Sequence, residues 1–215
     1  MFLVIGMLSA LLEAQKSGKG QVIDAAITDG SASVMSLFYS MTKTGQWDNQ
    51  RQYNMLDGGA PYYDTYETAD GKHISIGSIE PQFYAMLIEK ANLDPEFFAD
   101  QHNKKRWPAM KQKLREVFKT KTCAQWCEIM DGSDVCFAPV LDYLEAPYHP
   151  HNIARNTYIT LNDLVQPAPA PKFSRSTPDL PEVPHEPGSD TEAVLAAHGY
   201  SSDDIAKLRS SGVLT

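Results

Sequence analysis

The stretch Asn54-Met55-Leu56-Asp57-Gly58-Gly59-Ala60-Pro61-Tyr62-Tyr63, followed after a β-rich run by Gly77-Ser78-Ile79-Glu80-Pro81-Gln82-Phe83-Tyr84, decides how the rest of the chain reads. The pair Gly58-Gly59 admits backbone conformations and close approaches that a side chain forbids, and Ala60 before Pro61 is forced extended. A backbone brought against a ligand and a tight turn within a linker both fit that pair. Glu80 stands directly before a proline that opens an amphipathic helix, so it falls at or near an N-cap. There the helix dipole and free N–H groups favour a carboxylate. Helix cap is one reading of Glu80, and support of a catalytic group is the other.

Working outward, Tyr62 to Thr68 and His73 to Ile79 are β-rich runs around Ala69-Asp70-Gly71, an Asp-Gly hairpin signal. Helical spacing follows over 81–92, over 107–120 with Trp107, Met110, Leu114 and Phe118 on one face, and over 122–130. Val135 to Leu141 is a further strand candidate. Hairpin, helices and strand together define a small α+β domain, taken as 62–160. Upstream, 2–16 reads as a helix stopped by Ser17-Gly18-Lys19-Gly20, Gln21 to Ala25 as a short strand, and 28–43 as a helix ended by Gly45. That order fits part of an α/β layer over 1–45, and the polar stretch up to 61 reads as a linker. Seven of the fourteen prolines lie between Pro167 and Pro187, so 161–188 reads as an extended linker with polyproline character. Ser189-Asp190-Thr191-Glu192 and Ser201-Ser202-Asp203-Asp204 then open two C-terminal helices within 189–215.

Composition narrows the function. The 215 residues are 42% hydrophobic and 21% charged, as in ordinary globular proteins. A formal net charge of -8 argues against nucleic acid, whose phosphates need basic patches. Met1 to Leu12 is almost wholly apolar, yet it lacks a basic leader and is too short to span a membrane. Cys123, Cys127 and Cys136 make an odd number without a CxxC pair, so neither a disulfide framework nor a zinc site is indicated. A reducing cytoplasm or organelle interior suits them. Cys123 and Cys127, four apart, mark the buried face of a helix. His149 and His151 flank Pro150 without further ligands, and no metal is expected.

NMLDGGAPYYDTY, then a hairpin, then GSIEPQFY resembles the family III CoA-transferase (CaiB/BaiF) group, and within it the α-methylacyl-CoA racemases. Collinear pieces extend the likeness: Gly18-Lys19-Gly20-Gln21-Val22-Ile23-Asp24-Ala25, Asp134-Val135-Cys136-Phe137-Ala138-Pro139-Val140 and Ala168-Pro169-Ala170-Pro171-Lys172-Phe173-Ser174-Arg175. Glu-Pro-Gln-Phe-Tyr is the piece that favours racemase over transferase. The resemblance implies an α/β protein: a Rossmann-like large domain, incomplete here, and a small α+β domain, joined by extended linkers. It implies racemisation of 2-methylacyl-CoA by removal and return of the α-proton. No cofactor is expected, because CoA belongs to the substrate, and two chains should interlock as a homodimer. The location would be cytoplasmic, or peroxisomal or mitochondrial in a eukaryote. In the family a His and an Asp move the proton, and both lie upstream of the part that Met1-Phe2-Leu3-Val4-Ile5 matches. The chain therefore reads as the C-terminal part of such an enzyme. Glu80 matches the Glu that supports the catalytic His. Leu56, Asp57, Gly58, Gly59, Tyr63, Ile79 and Cys136 are the expected substrate-contacting residues. A CoA-transferase and a non-catalytic assembly subunit are the alternatives.

Overall fold

A computed structural model describes residues 1–182 and 184–214; Val183, inside the proline-rich stretch, and Thr215 lie outside the described residues. The chain forms two compact units, Met1–Val140 and Leu141–Thr215. It is a mixed α/β protein of helices and small antiparallel sheets.

The first unit opens with three helices, α1 (Phe2–Ser17), α2 (Ile27–Val34) and α3 (Ser36–Lys43). Gly18 ends α1 in the left-handed conformation at φ 74°, with its N–H bonded to Ala14 O, which is the stop expected of a glycine. The single helix expected over 28–43 is divided at Met35, which lies at φ -80° and ψ -3°. The strand expected over Gln21–Ala25 does not form. Those residues take no regular structure, because among the described residues no strand lies beside them to complete a hydrogen-bond ladder. None of the residues of α1 is buried, and its face from Phe2 to Leu12 stands open to solvent.

Residues 46–61, read as a linker, fold around one buried amide. Asn54 is 1% exposed. Its Nδ2 donates to Asp48 O (2.9 Å), Gln50 O (3.2 Å) and Asp57 Oδ2 (2.8 Å), while its Oδ1 accepts from Asp48 N–H (2.7 Å). An amide so nearly saturated holds an irregular segment compact without a ladder.

The sheet and helices after it match the α+β reading closely. β1 (Tyr63–Glu67), β2 (His73–Gly77) and β3 (Phe137–Val140) form one antiparallel sheet in the order β1-β2-β3. Gly71 takes φ 75° in the turn between the first two strands. α4 (Pro81–Lys90), α5 (Trp107–Phe118) and α6 (Cys123–Met130) cover one face of the sheet, burying Tyr66, Ile74 and Ile76 against Leu87, Met110, Leu114, Phe118 and Trp126. Each such side chain contributes about 1.5–3 kcal/mol by leaving water. The polar tips of the core aromatics then pin the loops: Tyr66 Oη donates to Pro61 O (2.5 Å), Tyr84 Oη to Phe98 O (2.9 Å), and Trp126 Nε1 to Phe118 O (2.9 Å). Thr122 closes the N-terminus of α6 in a reciprocal capping box with Gln125.

The second unit carries α7 (Pro150–Ala154), a hairpin of β4 (Tyr158–Leu161) and β5 (Leu164–Pro167), and the helices α8 (Thr191–Ala197) and α9 (Ser202–Ser210). The hairpin was not foreseen; its turn is Asn162-Asp163, both left-handed at φ 47° and 62°. Between Pro167 and α8 the described residues form no helix or strand and are almost all exposed. Of the two expected caps one forms. Ser201 and Asp204 make a capping box at α9, whereas at α8 the Asp190 side chain caps nothing, because its carboxylate binds His185 Nδ1 at 3.0 Å.

Candidate functional site

Within the first unit, a shallow cavity of ≈ 600 Å³ opens over the sheet face that the helices leave bare. Strand alternation places Tyr63, Thr65, Ser75, Gly77 and Ala138 on that face, since Tyr66, Ile74 and Ile76 point the other way into the core. Asp57, Gly58 and Cys136 border it, together with Gln52 and Asp64. The structure thus brings Asp57, Gly58, Tyr63 and Cys136 together around one depression. Leu56, Gly59, Ile79 and Glu80 are not among its lining residues, and no histidine is.

The glycine pair divides its work. Gly58 lies at φ 81°, which only glycine adopts without strain. Gly59 has an ordinary φ, but a Cβ there would stand 2.6 Å from Asn54 O and 2.8 Å from Asn54 N. The close approach that Gly59 permits is therefore to the chain's own backbone, not to a ligand. Asp57 also serves the loop first. Its Oδ1 accepts from Asn54 N–H (2.8 Å) and Gly59 N–H (3.1 Å), and its Oδ2 from Asn54 Nδ2. Burial pushes this carboxyl up, yet the hydrogen bonds from Asn54, Gly59 and Tyr53 together outweigh it and hold the pKa below the ordinary 3.8.

Lys111 is the residue that motif reading missed. It projects from α5, is 8% exposed, donates to Gly58 O, and pairs with Asp64 Oδ2 at 2.5 Å. The signal was present, for position 111 falls in the Trp107, Leu114, Phe118 stripe, where a cation has no place unless something receives it.

Cys136 sits just before β3 at φ 58°, an uncommon conformation for a cysteine, and its carbonyl accepts from Gly77 N–H (2.8 Å). Partial burial first, then the charges of Glu80 and Asp134, push its thiol above the ordinary 9.0. At neutral pH it is a protonated thiol that can donate a hydrogen bond, not a thiolate nucleophile. Glu80 takes the N-cap backbone position of α4, at φ -71° and ψ 145°, and its carbonyl accepts from Tyr84 N–H (2.9 Å). Its exposed side chain makes no capping hydrogen bond. The carboxylate is therefore left available to a group outside the helix.

Three histidines have local tasks. His102 Nδ1 meets Tyr62 Oη at 3.3 Å, His149 accepts from His151 N–H at 3.3 Å, and His198 Nδ1 meets Val194 O at 2.8 Å. Among the described residues no three His, Cys, Asp or Glu gather as a metal set, and no helix is long and apolar enough to cross a membrane. Cys127 is pushed up to about 11, first by burial and then by Cys123 and Asp131, which makes it a packing residue.

Sheet, helices and loop motif coincide with a described family: residues 1–191 match the model of CoA-transferase family III, and the chain belongs to that family. It is 43% identical over 213 residues to the α-methylacyl-CoA racemase of Mus musculus, covering 98% of this chain and 56% of that one. The human racemase is 41% identical over the same shares. The chain thus spans about half the length of the curated relatives it matches. Acetyl-CoA:oxalate CoA-transferase of Acetobacter aceti is more distant, at 26% over 94% of this chain and 53% of its own. Among solved structures, a CaiB/BaiF family protein from Brucella suis superposes with TM-score 0.64 at 19% identity, covering 90% of this chain and 52% of that one, which shows the fold alone.

Proposed function

We propose that this chain supplies the small-domain half of the active site of a racemase acting on 2-methyl-branched acyl-CoA thioesters. The observation that carries the reading is the gradient of likeness: 43% and 41% to racemases, against 26% and 29% to CoA-transferases. Racemisation takes a weakly acidic α-proton from one face and returns one to the other. It needs a base, an acid and stabilisation of the enolate oxygen. No histidine lines the cavity, and its two carboxylates are committed, Asp57 to its own loop and Asp64 to Lys111, so the His and Asp that the family resemblance implies are assigned to the portion of the relatives that the chain does not cover. Glu80, uncommitted to a cap, steadies the imidazolium formed when the proton is taken. The acyl chain lies over Tyr63, Gly77 and Ala138, with the Asp57–Gly58 loop and the Cys136 thiol at its rim and Leu56 and Ile79 supporting from behind. No cofactor takes part beyond the CoA of the substrate. The whole enzyme works as an interlocked homodimer in a reducing compartment.

Deuterium exchange at the α-carbon of 2-methylacyl-CoA tests this. The 215-residue chain alone should give background exchange only, and a fusion with the uncovered N-terminal portion of the mouse racemase should exchange and racemise. A fusion that moves CoA between carboxylic acids without α-exchange would make the protein a transferase.

A further inference from the structure

Gln101 lies outside every motif, between α4 and α5, and is 8% exposed. Its Nε2 donates to Ile79 O (2.8 Å) and Ser78 O (3.3 Å), and its main-chain carbonyl accepts from Trp107 Nε1 (2.8 Å). Ser78, fully buried, donates through Oγ to Val135 O (2.5 Å), the residue before Cys136. Gly77 N–H in turn binds Cys136 O. The two residues before Glu80 are thereby fastened on one side to α5 and on the other to the segment Val135–Cys136 that leads into β3. A buried amide spending both its N–H groups on consecutive carbonyls of an irregular turn fixes that turn's direction. What leaves the turn is Glu80.

We propose that Gln101 is a positioning residue for Glu80: by holding the Ser78–Ile79 turn, which Gly77 N–H also ties to Cys136 O, it sets where the Glu80 carboxylate stands relative to the Cys136 thiol. The inference rests on the reading of Glu80 as a functional carboxylate, but its test needs no turnover. Cys136 is the exposed thiol of the three; partial burial raises it first, and the charges that add to this are those of Glu80 and Asp134. Its alkylation rate against pH therefore reports where Glu80 sits.

Iodoacetamide alkylation of Cys136 in the full chain, followed by peptide mass spectrometry, is the measurement. Glu80→Gln removes a negative charge and should move the titration midpoint to lower pH, with alkylation at neutral pH about twofold faster. Gln101→Met keeps the packing but loses both donors; it should move the midpoint the same way, and the double variant should match Glu80→Gln alone. Gln101→Asn, too short to reach the turn, carries the same expectation if Gln101→Met does not fold. A midpoint unmoved by folded Gln101 variants while Glu80→Gln shifts it makes Gln101 a packing residue and overturns the proposal. A midpoint unmoved by Glu80→Gln overturns it too, because Glu80 then stands too far from the thiol to be positioned towards it. Neither result alters the α-exchange outcome, which judges the racemase reading separately.

Discussion

Lys111 and Asp64 meet at 2.5 Å across the seam between α5 and β1, and the same ammonium donates to Gly58 O in the glycine loop. One side chain on a helix thus fixes strand and loop at the edge of the cavity. One turn earlier on α5, Trp107 holds Gln101 and through it the turn before Glu80. The glycine loop and the turn before Glu80 are thus both registered by a single helix.

Removing that ammonium should be severe. Lys111→Met leaves Asp64 and the Gly58 carbonyl without their donor in a largely dry place. Breaking one partner of a buried pair costs about 3–5 kcal/mol, and with the Asp64 side chain 24% exposed the lower end is expected. Asp64→Asn added to Lys111→Met should recover part of the loss, since it removes the stranded charge. Urea unfolding of the single and double variants measures both. Fully additive losses would show that the two residues do not act as a pair.

The glycines should separate as their geometry does. Gly59→Ala drives a Cβ into the Asn54 backbone, which is not the far end of a flexible side chain and cannot step aside. A loss of about 1–3 kcal/mol is expected. Gly58→Ala meets only Asp64, at 3.5 Å, and is penalised through φ 81°, by about 1–2 kcal/mol. In Gly59→Ala the Asn54 network should also open, seen as faster amide exchange at Asn54 and Gly59. Slow exchange there, with an unchanged melt, would remove the close-approach argument.

How far the sequence revealed this structure depended on whether a residue's task was periodic or particular. Strand alternation and helical spacing were legible for the β1–β2 hairpin and α4 to α6, because each has one face in the core and one in water. Gln21–Ala25 carried strand composition but lacks a neighbouring strand, and composition says nothing of partners. The hairpin of β4 and β5 was hidden because its turn is Asn162-Asp163, where Asn-Gly or Asp-Gly is the usual signal. At the site, the loop and Glu80 stood out through glycine and proline. Lys111 and Gln101 did not, since their meaning lies in carbonyls distant in sequence. Position 111 on an apolar stripe was the one cue available.

Acid should expose the role of Asp57. Its folded pKa is depressed, so the stability it contributes is fully present above the unfolded value of 3.8 and is lost as pH falls below 3.8 through the folded value. Asp57→Asn offers one acceptor oxygen where two serve the N–H groups of the loop, and it turns an NH₂ towards them. At pH 7 the variant should be less stable by about 2 kcal/mol, the scale of hydrogen bonds to a charged group. The gap should hold down to about pH 5 and narrow below the ordinary carboxylate range. Urea midpoints at pH 7, 5 and 3 for both proteins test it, and a gap that widens in acid would reverse the assigned sign.

Glu80→Gln distinguishes a helix cap from a catalytic support. The Glu80 side chain makes no capping hydrogen bond, so replacing it removes only a dipole interaction at an exposed helix start. Stability should change by less than about 1 kcal/mol. In the active fusion the same substitution should lower kcat by about tenfold or more and leave KM little changed. The reason is that the carboxylate acts on the imidazolium of the proton-transfer step and not on bound substrate. General acid–base catalysis contributes about 10²–10⁴ in rate, and a residue that steadies the base supplies part of that. The amide retains the shape of the side chain, so a loss of kcat with an unchanged melt isolates the charge. A kcat within about twofold of the parent, with the melt unchanged, would leave Glu80 no role beyond its backbone position at the start of α4.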